Sequence, residues 1–270
     1  MTTISIIGCG WLGLPLGQQL VRAGYAVHGT TTTAAKVKLL QAAGMQPHLL
    51  NVTASNATAL QPALQADIAI VTLPPSSGDD QPQFYLRQLQ NVAEAIALSP
   101  VSKVLFTSAT AVYPQANQAV VEADAVRIES PFSDTPWLDI EQAFSADPRF
   151  VSTIVRFAGL IGGDYQPGRY FSGKPLSGAD DPVNMIHRDD CIGVIRAIIE
   201  HKAWGDTFNA CADQHPSRRA LYGASCAMAQ LPPPLFNTQP KPYRLINCDK
   251  LKQRLGYRFI HPDPVAALGI

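Results

Sequence analysis

The sequence shows no surplus of charge of either sign and no long apolar run. Lysine and arginine together number 21, as do aspartate and glutamate, so the formal net charge is zero. Without a basic surplus, no global field attracts nucleic acid or an anionic membrane. No apolar stretch approaches the length that spans a bilayer, and no basic segment followed by an apolar one marks a targeting leader. We therefore expect a cytoplasmic protein with neither nucleic acid nor a membrane as its partner.

Cysteine is also scarce, and its spacing argues against two kinds of site. The chain has five cysteines, an odd number, and none of them forms a C-x-x-C pair. This pattern argues against a disulfide framework and against a zinc site, and it favours reduced thiols. The six histidines show no metal-ligand spacing either. We expect no metal site.

What the chain does contain is a regular alternation of apolar runs and helical patterns. Its 270 residues, 46 % of them hydrophobic, are enough for one large domain with a smaller lobe. The predicted strands are residues 4–7, 25–29, 47–52, 67–73 and 103–108, and predicted helices cover residues 36–44, 57–66 and 82–98. Such alternation predicts an α/β fold with a doubly wound parallel sheet.

The first predicted strand runs directly into a glycine-rich loop. Gly8 permits the sharp turn from strand to helix, Gly10 lets the backbone approach a ligand, and Gly13 lets the helix pack against the strand. The N–H groups of the first helical turn, with the positive end of the helix dipole, then face a diphosphate. The loop, which includes Trp11 and Leu12, predicts a dinucleotide site; a glycine-rich turn between two packed elements is the alternative.

No acid follows the second predicted strand, where an NAD-selective site usually carries one for the ribose 2′-hydroxyl. Instead the chain has Thr30, Thr31 and Thr32, followed by Lys36. Several hydroxyls and one ammonium suit a 2′-phosphate, which a carboxylate would repel. We therefore predict NADP as the cofactor, with NAD as the second choice. A threonine-rich helix N-cap with Lys36 in solvent explains the same residues equally well.

Further cofactor positions follow from the ends of predicted strands. In an open α/β sheet, ligands lie outside the carboxyl ends of the strands. Asn51 falls at the end of the third strand, where a contact with the adenine edge is expected. Leu73 ends the fourth strand, and Pro74 opens the Pro-Pro-Ser-Ser loop, 74–77, that follows it.

From the fifth predicted strand onward, the chain contains a succession of recognisable segments. They are residues 106–114 (Phe-Thr-Ser-Ala-Thr-Ala-Val-Tyr-Pro), 156–163 (Arg-Phe-Ala-Gly-Leu-Ile-Gly-Gly), 183–190 (Val-Asn-Met-Ile-His-Arg-Asp-Asp), 205–210 (Gly-Asp-Thr-Phe-Asn-Ala) and 255–257 (Leu-Gly-Tyr). In this order they resemble the motifs of the extended short-chain dehydrogenase/reductases, a superfamily of NAD(P)-dependent nucleotide-sugar epimerases and dehydratases.

The resemblance implies a Rossmann fold for NAD(P) with a small lobe that chooses the substrate. Residues 1–160, with 183–211 packing back on them, correspond to the dinucleotide-binding core. Residues 161–182 and 212–270 correspond to the substrate lobe. In the family, dimers form through two helices that correspond to 82–98 and 133–147 here, so a homodimer is a further expectation.

The resemblance fails at the three residues that carry the family's chemistry. The family uses a Ser or Thr after the fifth strand and a Tyr-x-x-x-Lys helix, in which the ammonium lowers the pKa of the phenol. The matching positions here are Ala109, Trp137 and Glu141. An indole cannot exchange a proton at neutral pH, so the standard relay cannot operate. The pattern resembles the atypical branch of the superfamily, which carries Gly-x-Gly-x-x-Gly and often lacks the Tyr and the Lys.

Nearby residues are the candidates for substitute chemistry. Tyr113 lies just past the fifth strand and is a candidate proton donor. Ser108 and Thr110 flank Ala109, the position at which the family has its Ser or Thr. Glu141 serves as a general base if burial raises its pKa. The alternative is that both residues are structural: Tyr113 is then a packed phenol hydrogen-bonded to backbone, and Glu141 a carboxylate on the helix surface.

Two other residues in the matching segments have competing interpretations. Arg156 falls where the family's sixth strand ends near the nicotinamide, or it is a buried arginine paired with an acid. Asp190 is predicted to be the N-cap of a helix over 190–201 and not a catalyst.

Two functions follow from the resemblance and from its failure. The first is an NAD(P)-dependent oxidoreductase or epimerase/dehydratase-like enzyme that acts on a small or nucleotide-linked alcohol or carbonyl. The loss of all three usual groups motivates the second, a non-catalytic dinucleotide-binding protein that reports the redox state of the cofactor to a partner.

Overall fold

A computed structural model describes residues 1–53, 57–75, 81–126 and 136–270 of the chain. The strands are β1 (Thr3–Ile7), β2 (Ala26–Thr31), β3 (Gln46–Leu49), β4 (Ile68–Val71), β5 (Lys103–Ala109), β6 (Gln118–Val120), β7 (Val151–Phe157), β8 (Gly159–Ile161), β9 (Pro175–Leu176), β10 (Met185–His187), β11 (Thr207–Ala210), β12 (Leu235–Phe236) and β13 (Arg244–Ile246). The helices are α1 (Gly13–Arg22), α2 (Ala34–Ala42), α3 (Gln81–Ala97), α4 (Trp137–Ser145), α5 (Pro167–Phe171), α6 (Arg188–Glu200), α7 (Arg218–Met228) and α8 (Asp249–Leu255). Short 3₁₀ helices lie at Ala57–Leu60, Thr110–Val112 and Glu122–Asp124.

Within these ranges, the main sheet contains seven strands in the order β11-β7-β5-β4-β1-β2-β3. β1 pairs in parallel with β2 and β4, while β2 pairs in parallel with β3 and β4 with β5. The chain extends the sheet from β1 through β2 to β3, then returns and continues on the other side from β4. This doubly wound order confirms the predicted α/β fold class. Its switch point lies between β1 and β4.

The central strands are almost continuous apolar runs, with Ser5 of β1 as an exception, because both faces of the sheet are buried. Every residue of β4 (Ile68–Val71) is buried, as are residues 4–7 of β1. Parallel strands covered on both faces show this pattern in place of an alternation of apolar and polar residues. On one face, the ring of Phe144 of α4 stacks on Phe106 of β5 with centroids 4.7 Å apart.

One predicted helix is much shorter than the sequence pattern indicated. The helix predicted over 57–66 is a 3₁₀ helix at Ala57–Leu60 followed by turns. Pro62 lies in the middle of the predicted stretch and has no backbone N–H with which to continue a helix. The other predicted elements differ from the observed ones by a few residues at their ends.

The chain divides into two units. One comprises the described residues of Met1–Val112, Glu129–Val155 and Ile198–Thr207, and the other those of Tyr113–Ile128, Arg156–Ala197 and Phe208–Ile270. The second unit contains three short parallel strand pairs, β8 with β10, β9 with β12, and β6 with β13. Its own apolar cluster includes Ile161, Leu221 and Leu268. That residues 161–182 and 212–270 choose the substrate stays a prediction.

All five cysteines lie within the described ranges and are free and buried. Burial raises the pKa of each thiol, to about 12 for Cys9 and Cys248. The thiols therefore stay protonated and unreactive. Separately, no helix among the described residues is both long and apolar enough to cross a membrane.

Candidate functional site

The turn after β1 depends on Gly8. Its φ of 108° lies in the region that favours glycine. A Cβ at this position would also lie 3.1 Å from the backbone nitrogen of Leu73 and from the carbonyl carbon of Thr72. The Thr72 hydroxyl donates to the carbonyl oxygen of Gly8 at 2.8 Å, which fixes the turn against the chain that leaves β4.

The other two glycines of the loop have different surroundings. A Cβ on Gly13 would lie 2.3 Å from the carbonyl oxygen of Gly8, so only glycine lets α1 begin this close to the turn. Gly10 is exposed, and a Cβ there would meet nothing within 4 Å. The space beside Gly10 is therefore open at the point where α1 presents its first-turn N–H groups. Residues 8–13, which we call the glycine loop, thus fit a bound diphosphate; Trp11 and Leu12 lie within it.

Two further predicted cofactor residues lie beside the switch point of the sheet. Leu73 and Pro74 follow β4, and Leu73 contacts the Gly8 turn as described above. The hydroxyl of Tyr85 on α3 donates to the carbonyl oxygen of Leu73 at 2.7 Å and holds this backbone in place. The structure therefore brings the glycine loop together with Leu73, at the edge where open α/β sheets bind ligands. Ser76 and Ser77 of the predicted loop lie outside the described residues.

Two of the predicted threonines support the loop from the end of β2. The Gly8 N–H donates to the hydroxyl of Thr30 at 2.9 Å, and the Cys9 N–H donates to its carbonyl oxygen, also at 2.9 Å. The hydroxyl of Thr31 accepts a hydrogen bond from the Thr33 N–H at 3.2 Å. Both threonine side chains are buried. These two hydroxyls are structural parts of the loop and of the turn that follows.

The remaining predicted residues at this edge are exposed. Thr32 and Lys36 face solvent beside the end of β2, and Asn51 faces solvent after β3. Thr33 occupies the N-cap of α2 but makes no capping hydrogen bond with its side chain. Of the four residues predicted to meet a 2′-phosphate, only Thr32 and Lys36 are therefore accessible to one.

A buried hydroxyl–carboxylate pair lies at the end of β5. The Ser108 hydroxyl donates to Glu141 Oε1 at 2.6 Å, and both residues are only 5 % exposed. Glu141 is buried because α4 packs against β5, so the interpretation of a helix-surface carboxylate is wrong. Trp137, one turn earlier on α4, meets the ring of Tyr85 edge-on at 5.8 Å. Ser108 and Glu141 are the two candidate catalytic residues that the structure joins directly.

Tyr113 lies in the second unit, where its hydroxyl contacts two side chains. It donates to Asn209 Oδ1 at 2.5 Å and accepts from Arg156 Nη1 at 2.7 Å. The ring is fully buried, and burial raises the pKa of the phenol to about 12, although Arg156 opposes the shift. Tyr113 is thus a packed phenol, as the structural alternative held, but its partners are side chains and not backbone groups. Thr110, also buried, belongs to the 3₁₀ helix before it.

The same cluster extends through Arg156 and Glu122. Arg156 is buried and donates a second hydrogen bond to the carbonyl oxygen of Glu122 at 2.9 Å. The carboxylate of Glu122 in turn accepts from the backbone N–H of Asn209 at 2.8 Å. Tyr113, Arg156, Asn209 and Glu122 form what we call the Tyr113 cluster. Its hydrogen bonds satisfy a buried cation and a buried phenol at once.

The prediction that Asp190 caps a helix is wrong. α6 begins two residues earlier, at Arg188, so Asp190 lies inside it. Its fully buried carboxylate accepts from the Tyr257 hydroxyl at 2.9 Å and from the N–H groups of Ile260 and His261 at 2.7 and 3.0 Å. The carboxylate of Asp190 therefore accepts from three donors about 70 residues along the chain, and not from the first turn of its own helix. Tyr257, the last residue of the Leu-Gly-Tyr segment, thus contacts Asp190 directly.

Beside Asp190, the structure brings together three residues that their sequence positions did not indicate. Asp189 Oδ2 lies 3.4 Å from His187 Nδ1 and 3.2 Å from His261 Nε2. The two imidazole centroids are 4.1 Å apart. We call these residues the His–Asp–His cluster. The short His-x-Asp spacing was the only signal in the sequence, since His261 comes from a distant segment.

Comparisons with known proteins agree with this geometry. Residues 3–133 match the family model described as the NAD binding domain of 6-phosphogluconate dehydrogenase. The chain is 29 % identical to Protein YeeZ of Escherichia coli (strain K12), over 98 % of each chain. A short-chain dehydrogenase/reductase superfamily protein from Agrobacterium tumefaciens with bound NAD gives a TM-score of 0.76 at 17 % identity, over 95 % of this chain and 92 % of that one. UDP-glucuronic acid 4-epimerase from Bacillus cereus in complex with NAD gives 0.75 at 20 % identity, over 98 % and 96 %.

The chain therefore carries an NAD(P)-binding Rossmann domain. Its structural neighbours are members of the short-chain dehydrogenase/reductase and NAD-dependent epimerase group. These likenesses confirm the Rossmann fold that the resemblance implied.

Proposed function

We propose that the protein is an NAD(P)-dependent oxidoreductase or epimerase-like enzyme in which Ser108 and Glu141 replace the family's Tyr–Lys proton relay. The observation that carries this proposal is the 2.6 Å hydrogen bond between the Ser108 hydroxyl and Glu141 Oε1. Glu141 takes the position that the resemblance gives to the Lys. In place of an ammonium that stabilises a phenolate, the protein has a carboxylate that accepts a proton from a hydroxyl.

The proposed chemistry is the interconversion of an alcohol and a carbonyl. The dinucleotide, when bound, accepts or supplies the hydride. As an alcohol is oxidised, its hydroxyl proton passes to Ser108 Oγ while the Ser108 proton passes to Glu141. The reverse transfers return the proton when a carbonyl is reduced. Burial of the pair favours this role, because it keeps the Ser108 hydroxyl on the Glu141 carboxylate and away from bulk water.

The substrate is proposed to be a small molecule with an alcohol or carbonyl group, free or linked to a nucleotide. The neighbour from Bacillus cereus is named for its action on UDP-glucuronic acid, which supports a nucleotide-linked sugar as the first compound to test. We propose NADP as the preferred dinucleotide because no acid follows β2 and because Thr32 and Lys36 are exposed there. A homodimer through α3 and α4 and a cytoplasmic location remain predictions; residues 133–135 of the predicted second helix lie outside the described residues.

The test is a panel of UDP-sugars and simple carbonyls, assayed for epimerisation and for NADPH or NADH oxidation. Glu141→Gln keeps the shape of the side chain but cannot take up the proton. We expect it to lower kcat at least about 100-fold while the affinity for the dinucleotide is kept. Asp139→Asn, on the same helix, is the matched control and should leave kcat unchanged. Equal kcat in Glu141→Gln and in the unaltered protein would remove the pair from the mechanism.

A second candidate function is supported by the Tyr113 cluster. The phenol of Tyr113, the predicted proton donor, has a pKa of about 12 and both of its hydrogen-bonding roles taken. An indole, Trp137, stands where the resemblance expects the catalytic Tyr. In this second proposal the protein lacks a working proton donor. It binds a dinucleotide without turning it over and reports the redox state of the dinucleotide to a partner. Tight binding of the reduced and oxidised dinucleotides with unequal affinities, and no turnover across the panel, would favour this function over the enzyme.

A further inference from the structure

The His–Asp–His cluster has the composition of a metal site. It offers two imidazole nitrogens and one carboxylate oxygen, and the three atoms all lie within 4.8 Å of one another. Two imidazoles and one carboxylate are a common ligand set for zinc and for other divalent transition metals. Neither the glycine loop nor the Ser108–Glu141 pair takes part in it, so the cluster lies outside the function proposed above.

The distances within the cluster suit a tetrahedral ion. Ligand atoms about 2.0–2.1 Å from a zinc ion lie about 3.3 Å from one another in a tetrahedron. The observed separations from Asp189 Oδ2 are 3.4 Å to His187 Nδ1 and 3.2 Å to His261 Nε2. Two of the three ligand–ligand separations therefore already match those around a tetrahedral ion. The fourth position of the tetrahedron is left for a water molecule.

The hydrogen bonds around His187 orient its ring for this role. Its Nε2 lies 3.3 Å from the carbonyl oxygen of Ile270, an acceptor that places the ring proton on Nε2. Nδ1 then carries the lone pair, which accepts the Asp189 N–H at 3.2 Å. A metal-ligating histidine commonly donates its other N–H to a backbone carbonyl in this way. Binding of an ion replaces the Asp189 N–H at Nδ1.

Access to the cluster comes from Asp189. Its side chain is 42 % exposed, whereas those of His261 and His187 are 12 % and 2 % exposed. An ion can thus reach the carboxylate from solvent and then meet two nitrogens that are shielded from water.

We propose that His187, Asp189 and His261 form a Zn²⁺ site with one open coordination position. The bound ion links the start of α6 to residues 257–261, which the carboxylate of Asp190 already anchors through three hydrogen bonds. To bind the ion, the neutral ring of His261 carries its proton on Nδ1, so that Nε2, which otherwise contacts Asp189 Oδ2, presents its lone pair to the metal.

The first experiment is a titration of the metal-free protein with ZnCl₂ against a chromophoric chelator. We expect one tight site per chain. Asp189→Asn and His261→Gln should each weaken that site at least about tenfold, the smallest loss seen even for outer-shell partners of metal ligands. His201→Gln is the matched control, because His201 is exposed and lies outside the cluster, and it should bind Zn²⁺ as the unaltered protein does.

A second measurement needs no variant. In the ¹⁵N–¹H spectrum of the histidine rings, Zn²⁺ should move the signals of two of the six rings, and these should be the signals that His261→Gln removes or perturbs. The proposal is overturned by the absence of a saturable site, by binding that both cluster variants leave unchanged, or by equal weakening in His201→Gln. It is equally overturned if the shifted ring signals belong to histidines outside the cluster.

Discussion

The glycine loop of the first unit and the Tyr113 cluster of the second are encoded in different ways. The loop consists of consecutive residues whose backbone geometry demands particular residue types, such as a φ of 108° at Gly8. The cluster joins Tyr113, Arg156 and Asn209, which are far apart in sequence and are held by side-chain hydrogen bonds. A local backbone requirement can be read from a motif. A buried network depends on which distant residues the fold brings together, so it can be described only once the fold is known.

The largest effect is expected within the loop. Gly13→Ala places a Cβ 2.3 Å from the carbonyl oxygen of Gly8, so the turn must move. We expect dinucleotide affinity to fall more than about 100-fold and the free energy of unfolding to fall by about 1–3 kcal/mol. Isothermal titration and denaturant unfolding measure the two quantities.

Gly10→Ala separates these two effects. A Cβ at Gly10 meets nothing in the protein, so stability should stay within about 0.5 kcal/mol while dinucleotide affinity is lost. Gly223→Ala, at a glycine inside α7 with equally open surroundings, should leave dinucleotide affinity unchanged and raise stability by about 0.5–1 kcal/mol, because alanine is favoured over glycine within a helix. Unaltered affinity in Gly10→Ala would mean that the diphosphate does not lie on this loop.

A change in the Tyr113 cluster should act on stability first. Tyr113→Phe leaves Asn209 Oδ1 and Arg156 Nη1 without their shared hydroxyl. We expect a loss of about 1–3 kcal/mol in unfolding free energy with dinucleotide affinity intact. The exposed Tyr170→Phe is the control and should be neutral. Loss of all turnover in Tyr113→Phe, under conditions where the variant is fully folded, would instead make the phenol the proton donor.

A smaller effect is expected for the exposed Lys36 at the start of α2. Lys36→Ala should weaken NADPH binding by up to about fivefold, the scale of one solvent-exposed ion pair, and should leave NADH binding unchanged. Parallel titrations with the four dinucleotides measure it. Equal effects on NADPH and NADH would contradict a contact with the 2′-phosphate.

The smallest effect is expected on the pH dependence of the unfolding free energy, to which one buried histidine in each unit contributes. Burial lowers the pKa of His48 on β3 and of His215 in the second unit, and for His48 the charge of His28 adds to the shift. Below the ordinary histidine pKa, the unfolded chain therefore binds more protons than the folded one, and stability should fall as pH falls from 7 toward 5. His48→Gln and His215→Gln should each make that slope shallower in denaturant unfolding. A slope that neither variant changes would show that the acid sensitivity comes from other groups.

The sequence predicted the sheet and the loop because both follow from local patterns. Apolar runs specify buried parallel strands, and glycines specify a turn that other residues cannot adopt. It placed Ser108 and Glu141 among the candidate residues but did not predict that they touch, since that contact depends on how α4 packs on β5. Apart from the His-x-Asp spacing of His187 and Asp189, it gave no sign of the His–Asp–His cluster or of the donors around Asp190, because both join residues 187–190 to residues 257–261. Pro62 is the opposite case, because the proline that ends the helical pattern over 57–66 is itself a local signal in the sequence.

The hydroxyl of Thr30 has a consequence for how cofactor preference can be changed. The sequence position of Thr30 predicts a residue that selects the dinucleotide. Its hydroxyl instead accepts the Gly8 N–H, so Thr30 helps to hold the glycine loop in shape. Replacing it to favour one dinucleotide would disturb the binding of both. Thr32 and Lys36 have no hydrogen-bonding role of this kind in the glycine loop, so under the proposed contact with the 2′-phosphate we expect substitutions at these two positions to change the preference between NAD and NADP without disturbing the loop.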